Sequence, residues 1–202
     1  MTLLQGVISA LVAVGVLVLS GVIVDGNNVP GVEVEIFRIV NGLSNALYWP
    51  AWVVMQLGNM LAVPAVAIIA LGFRRYRLVI ACAIVGLGKW YVSRLLKDVF
   101  VRERPASILS DVVLRDAPSA GQAFVSGHAV IAVGLAVIVT SYLGRRAQIM
   151  VGAAAAVVCI ARVYVGAHLP LDVVGGAAAG WAIGTVADRL SRVGPKMGSQ
   201  GI

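Results

Sequence analysis

The chain has 202 residues, of which 60% are hydrophobic and 12% charged, and its mean hydropathy is +0.95. An average soluble domain is about 45–50% apolar and about 25% charged, so these figures exclude a soluble globular fold and indicate an integral membrane protein. The formal net charge of +7 sits on a chain made to enter a bilayer, and no nucleic-acid partner is expected.

A hydrocarbon core about 30 Å thick needs roughly 20 residues of helix to cross it. Six apolar runs meet that length: 3–24, 48–73, 78–100, 126–143, 147–165 and 169–190. The fold class expected is therefore all-α, a six-helix transmembrane bundle, in one domain covering 1–202. The first run has no basic start and no Ala-x-Ala site, and it exceeds the usual apolar region of a signal peptide, so it is expected to be retained as a helix. After it, Val32, Ile36, Ile39, Val40, Leu43 and Leu47 recur at helical spacing. This segment is either an interfacial amphipathic helix or a connector packed on the bundle. Tyr48, Trp49 and Trp52 suit an interfacial aromatic belt.

In the third run Lys89, Ser93 and Lys97 fall on one helical stripe. Lys89 then faces the bundle, where the second phosphate of a diphosphate is one possible partner, and Arg94 is expected to snorkel. Cys82 and Cys159 fall inside spans and are expected to be free thiols. The tail 191–202 is expected to be flexible.

Lys and Arg favour cytoplasmic loops. Arg74, Arg75 and Arg77, then Arg145 and Arg146, then Arg189, Arg192 and Lys196 all fall on one side of a six-span chain. That side is expected to be cytoplasmic, with both termini, in a multi-pass plasma-membrane protein. Arg38, Lys97, Arg102, Arg104 and Arg115 fall on the other side. Arg102 and Arg115 read as paired, solvated charge beside Asp98, Glu103, Asp111 and Asp116.

Lys97 and Arg104 have more converging on them. They are seven residues apart at the outer end of the third run, nearly two turns, so a continuing helix would place both on one face; Pro105 then turns the chain. Ser126 is expected to cap the fourth helix, with Gly127 allowing close backbone approach. A helix N-terminus is a ready anion site. His128 enters that helix in its first turn. His168 and Asp172 are four apart at the start of the sixth helix, where Pro170 suits an early position. The carboxylate can fix the imidazole tautomer and leave the other ring nitrogen to attack, and Arg162 can fork two phosphate oxygens. Such parts suit phosphoryl transfer, which depends on positioning and on stabilising charge at the equatorial oxygens.

Three segments carry a resemblance: K-D-V-F-V-R-E-R-P (97–105), V-S-G-H (125–128) and A-R-V-Y-V-G-A-H-L-P-L-D (161–172). In order and spacing they resemble the signatures of the type-2 phosphatidic acid phosphatase superfamily. The resemblance implies a reaction without metal or cofactor, in which His168 attacks phosphorus to form a phosphohistidine and Asp172 supports it. It implies that His128 protonates the leaving oxygen, and that Lys97, Arg104, Arg162, Ser126 and the backbone at Gly127 hold the phosphoryl oxygens. Val125 stands where the family has Pro and Ala161 where it has Ser.

A site at an outer helix boundary suits a lipid phosphate. Polyprenyl diphosphate is the first substrate expected, with phosphatidic acid, phosphatidylglycerophosphate and polyprenyl-phosphate sugar phosphates behind it. Lipid phosphotransfer through the same intermediate, an intramembrane serine hydrolase at Ser126, and a non-catalytic transporter or scaffold are the alternatives.

Overall fold

The computed structural model describes residues 3–193, and every regular element among them is helical. Long apolar runs leave no other choice, because in hydrocarbon each backbone N–H and C=O must be satisfied within its own segment. The helices are α1 (Leu3–Val24), α2 (Gly31–Asn41), α3 (Tyr48–Met55), α4 (Ala62–Gly72), α5 (Tyr76–Val99), α6 (Pro105–Ile108), α7 (Gly127–Thr140), α8 (Arg145–Tyr164) and α9 (Pro170–Val193). The tail expected from 191 begins inside the last turn of α9, and 194–202 lie outside the described residues.

Among the described residues four helices are long and apolar enough to cross a membrane. A fifth crossing is made if 45–72 is one broken span, for its two halves meet at 63°. The break has a local cause: after the short turn Gln56–Gly58 the backbone of Asn59 is extended, and its Oδ1 accepts from the Leu61 amide at 3.1 Å. The fourth run, 126–143, is represented by α7, whose 14 residues reach only about 21 Å at 1.5 Å per residue. The count of six crossings is therefore approximate. α7 tolerates its shortness because it is the centre of the bundle, with Ala129 to Ala132, Gly134 to Ala136 and Ile138 buried. The outer helices instead present apolar side chains outward, such as Leu11, Ile68 and Ile149, as a multi-pass membrane protein requires.

The closest helix pair is α7 with α9, and glycine makes it so. A Cβ on Gly176 would stand 2.6 Å from the Ser126 carbonyl oxygen, one on Gly180 2.4 Å from that of Val130, and one on Gly184 2.9 Å from that of Gly134. Three glycines spaced by four let two backbones touch, the small-residue packing typical of membrane helices. This contact fixes His128, on α7, relative to Asp172, on α9.

α2 packs on the bundle, as the connector reading of its sequence expected. Its residues Glu33, Phe37 and Asn41, also spaced by four, are buried against the bundle, while Val32, Ile36 and Ile39 are exposed. The Arg clusters do gather at one end of the molecule. Arg75 lies over the Tyr142 ring at 5.5 Å, and Arg192 donates to the Ser141 hydroxyl at 2.7 Å. Cys82 and Cys159 are free thiols.

Candidate active site

At the opposite end, α5, α7, α8 and α9 converge with the loop 100–126. α5 ends at Val99 and Phe100 is extended, so the helix does not continue to Arg104 as the spacing suggested. Arg104 comes back through an extended stretch instead, held by a bridge between Glu103 and Gln122 and by the Ala123 amide donating to the Arg102 carbonyl at 2.7 Å. Pro105 is the first residue of α6, where its missing N–H costs nothing. Despite the different path, Arg104 and Lys97 end close enough to act electrostatically on one another.

His168 sits in the turn between α8 and α9. Gly166 at φ +78° makes that turn, and a Cβ there would meet the Val113 carbonyl at 2.9 Å. Arg104 Nη1 donates to the Ala167 carbonyl at 2.8 Å, which ties the returning loop to the residue before His168. The imidazole is 4% exposed and Asp172 is fully buried. His168 Nδ1 stands 3.8 Å from Asp172 Oδ2, an ion-pair distance rather than a hydrogen bond. Burial pushes the His168 pKa down to about 4, with Asp172 pulling in the opposite direction and Arg162 and Arg104 adding to the fall. Its ring is therefore neutral at pH 7, with a lone pair to give.

Asp172 is the third residue of α9, and its Oδ2 accepts from the Leu169 amide at 2.9 Å. That is one half of a capping box, and it fixes the carboxylate at the helix N-terminus. Ser126 occupies the cap position of α7, but its side chain makes no capping bond. Its amide donates to the Asp172 carbonyl at 3.0 Å, while its Oγ is buried without a hydrogen-bond partner. The expected cap is thus a hydroxyl left uncommitted beside the helix N-terminus. His128 follows, and Gly58, at the break between α3 and α4, packs on it so closely that a Cβ would be 2.7 Å from the His128 carbonyl.

The cations gather around this turn. Among the described residues the one hydrogen-bond partner of Arg162, on α8, is the Met55 sulfur at 3.6 Å, its Nε is unpartnered, and its charge acts on His128 and on His168. Lys89 also reaches the site. Its Cε lies 3.0 Å and its Nζ 3.5 Å from where a Gly127 Cβ would be, and its charge acts on both His128 and Lys97. Between the two lysines Ser93 is buried with its Oγ unpartnered. Arg94 points elsewhere, exposed and 5.7 Å over the Trp90 ring, as snorkelling requires. Among the described residues neither Lys89, Lys97, Arg104 nor Arg162 forms an ion pair with a carboxylate. Four cations at the positive end of a helix dipole are mutually repulsive unless an anion joins them.

The two departures from the family pattern are packing positions. Val125 is buried with Leu17, Phe124 and Val130, and Ala161 with Met55, Tyr164 and Val165.

Three residues were missed or misread in the sequence. Arg102, expected to be solvated, is completely buried. Its Nη2 donates to Glu33 Oε2 at 2.8 Å, its Nη1 to the Asn28 carbonyl at 3.1 Å, and its Nε lies 3.3 Å from Asp172 Oδ1. Glu33 was not singled out at all, yet its Oε1 accepts from the Leu171 amide at 2.8 Å. Burial pushes the Glu33 pKa up, and Arg102 opposes that rise. Arg115 was also misread: it is a clamp, bonding the Asn45 side chain and the carbonyls of Asn41, Leu43 and Tyr164.

The model of the PAP2 superfamily matches residues 76–192, more than half of the chain and all three motifs. The chain belongs to this superfamily, whose members are lipid phosphatases. Among solved structures it is similar to LpxE of Aquifex aeolicus, with 25% identity and a TM-score of 0.69 over 77% of this chain and 94% of that one. It is also similar to a transmembrane PAP2-type phosphatidylglycerolphosphate phosphatase from Bacillus subtilis, with 20% identity and a TM-score of 0.78 over 94% and 98%; at that identity the likeness concerns the fold. No curated protein matches.

Proposed function

We propose that the protein hydrolyses lipid phosphates at the extracytoplasmic membrane face through a phosphohistidine on His168, without metal or cofactor, and that polyprenyl diphosphate is its first substrate. Asp172 holds the Nδ1 side of the ring, so Nε2 attacks the terminal phosphorus. The bond to the bridging oxygen breaks, and its electron pair leaves with the lipid. His128 donates a proton to that oxygen where the leaving group needs one, then accepts one from the water that frees phosphate from His168. Lys97, Arg104, Arg162, Ser126 Oγ and the amides at Gly127 hold the charge that builds on the equatorial oxygens.

The observation that carries this reading is the convergence on the Ser126–Gly127 turn, between two histidines, of four cations that form no ion pair with a carboxylate among the described residues. The fourth cation, Lys89, favours a diphosphate over a monophosphate: it lies on the His128 side, where the lipid-linked phosphate leaves. An apolar cavity of about 1300 Å³ between α1, α7, α8 and α9, lined by Val12, Ala155, Ala177 and Trp181, reaches Val173 and Cys159. Those residues adjoin Asp172 and Arg162, which supports a hydrocarbon tail lying there.

The test is phosphate release by detergent-purified protein, with chelator present, from polyprenyl diphosphate, phosphatidic acid, phosphatidylglycerophosphate and a polyprenyl-phosphate sugar phosphate. Release from at least one is expected, with His168→Ala lowering it at least about 1000-fold. Equal release by wild type and His168→Ala would end the mechanism.

A further inference from the structure

We infer that Glu33, outside the three motifs, and Arg102, an unassigned position inside the first, are positioning residues that set both the orientation of Asp172 and the charge balance around it. The inference rests on the role proposed above for His168.

The four groups form a continuous chain that closes on itself. His168 faces Asp172 at 3.8 Å, Asp172 faces Arg102 at 3.3 Å, Arg102 binds Glu33 at 2.8 Å, and Glu33 returns to α9 through the Leu171 amide at 2.8 Å. Leu171 immediately precedes Asp172, so Glu33 grips the same helical turn that carries the carboxylate. Glu33 and Arg102 are 4% and 0% exposed. Glu33 comes from α2, Arg102 from the loop before α6 and Asp172 from α9, so the arrangement exists only once these segments have docked.

Charge explains why two residues are needed rather than one. A buried Arg102 facing Asp172 alone would cancel the carboxylate and weaken its hold on a ring that becomes positive as it bonds phosphorus. Glu33 takes up the guanidinium through its shortest contact and leaves the group of three with one net negative charge. Arg102 then orients Asp172 without neutralising it. A purely structural reading is the competitor, since removing one member of a buried ion pair strongly destabilises a protein. Stability and catalysis must therefore be read separately.

Glu33→Gln does this. The amide oxygen can still accept from Leu171 and the shape is kept, while the charge is lost and the amide NH2 takes the place of the oxygen that accepts from Arg102 Nη2. On a lipid phosphate that wild type hydrolyses, kcat per folded molecule should fall about 10- to 100-fold, the size of effect seen when the groups that orient metal-bound histidines are removed. KM should stay within about twofold, because the substrate cations are not in the chain. Phosphohistidine formation in a single turnover should slow by the same factor as kcat. Arg102→Lys, which keeps the charge, should retain more activity than Arg102→Gln, and the double variant Glu33→Gln/Arg102→Gln should be no slower than Arg102→Gln alone.

A Glu33→Gln protein with lowered thermal stability but wild-type kcat per folded molecule would overturn the inference. So would losses that add fully in the double variant. If Glu33→Gln does not fold, the comparison of Arg102→Lys with Arg102→Gln decides: equal kcat would overturn the inference. Wild type that forms no phosphohistidine would instead defeat the reading on which it rests.

Discussion

Gly180 offers a direct mechanical test of how the two histidines are held. A Cβ placed on it would stand 2.4 Å from the Val130 carbonyl oxygen, 3.0 Å from Val130 Cα and 3.1 Å from the Gly134 amide nitrogen, while ordinary contact begins at 3.4 Å. All three obstacles are backbone atoms of α7, so no rotamer change relieves them. Gly180→Ala must therefore push α7 and α9 apart by about 1 Å, the amount by which 2.4 Å falls short of 3.4 Å. Overpacking of this kind costs about 1–3 kcal/mol, and a misplacement of 1 Å can lower a rate about 100-fold. Gly15→Ala is the control: nothing lies within 4 Å of its Cβ, so it should gain up to about 1 kcal/mol from helix propensity alone. Thermal unfolding in detergent should thus shift down for Gly180→Ala and up for Gly15→Ala, while kcat/KM on the preferred lipid phosphate should fall only for Gly180→Ala. Were Gly180→Ala as stable and as active as Gly15→Ala, the backbone contact would not be what sets the distance between His128 and His168.

Lys89→Met should lower kcat/KM on polyprenyl diphosphate about 100-fold, as when one transition-state donor is lost; on phosphatidic acid the fall should be below about tenfold. Equal falls on both lipids would remove Lys89 from the diphosphate reading. For pH, His168 is held at about 4 against 6.5 in the unfolded chain, so between these values the unfolded state binds more protons and stability rises with pH. It follows that the contribution of His168 is fully present above pH 6.5 and is lost as pH falls towards 4, and that the acid limb of kcat/KM lies nearer 4 than 6.5; a limb at 6.5 or above in the free enzyme would contradict this. Ser126→Ala removes an uncommitted Oγ that caps nothing, so it should leave the unfolding temperature almost unchanged while lowering kcat; a stability loss with unchanged kcat would make Ser126 structural.

Much of the site was legible because charge is conspicuous in an apolar chain. Lys97, Arg104, Arg162, His128, His168 and Asp172 stand out for their cost in a membrane, and their spacing carried the rest. Glu33 and Arg102 were hidden for the opposite reason. Each sits in a polar segment at the membrane boundary, where charge is ordinary, and their contact spans 69 residues, beyond any local pattern. The one available signal was the second helical stripe of α2, Glu33, Phe37 and Asn41, which runs opposite the apolar stripe. The break at 56–61 was signalled by Gly58 and Asn59 within a run whose overall hydropathy concealed it. The shortness of α7 was not legible, since the apolar residues around it extend its run to a full span by composition; only tertiary enclosure explains why 14 helical residues suffice.

The most direct measurement is isolation of the phosphoenzyme. Wild type mixed with a lipid phosphate labelled in its terminal phosphoryl group and quenched in alkali, which preserves phosphohistidine, should carry the label on His168 within one turnover. The label should be absent from His168→Ala, retained longer in His128→Asn, and unaffected by chelator. Label on any other residue, or full turnover with no phosphoenzyme at all, would contradict the account.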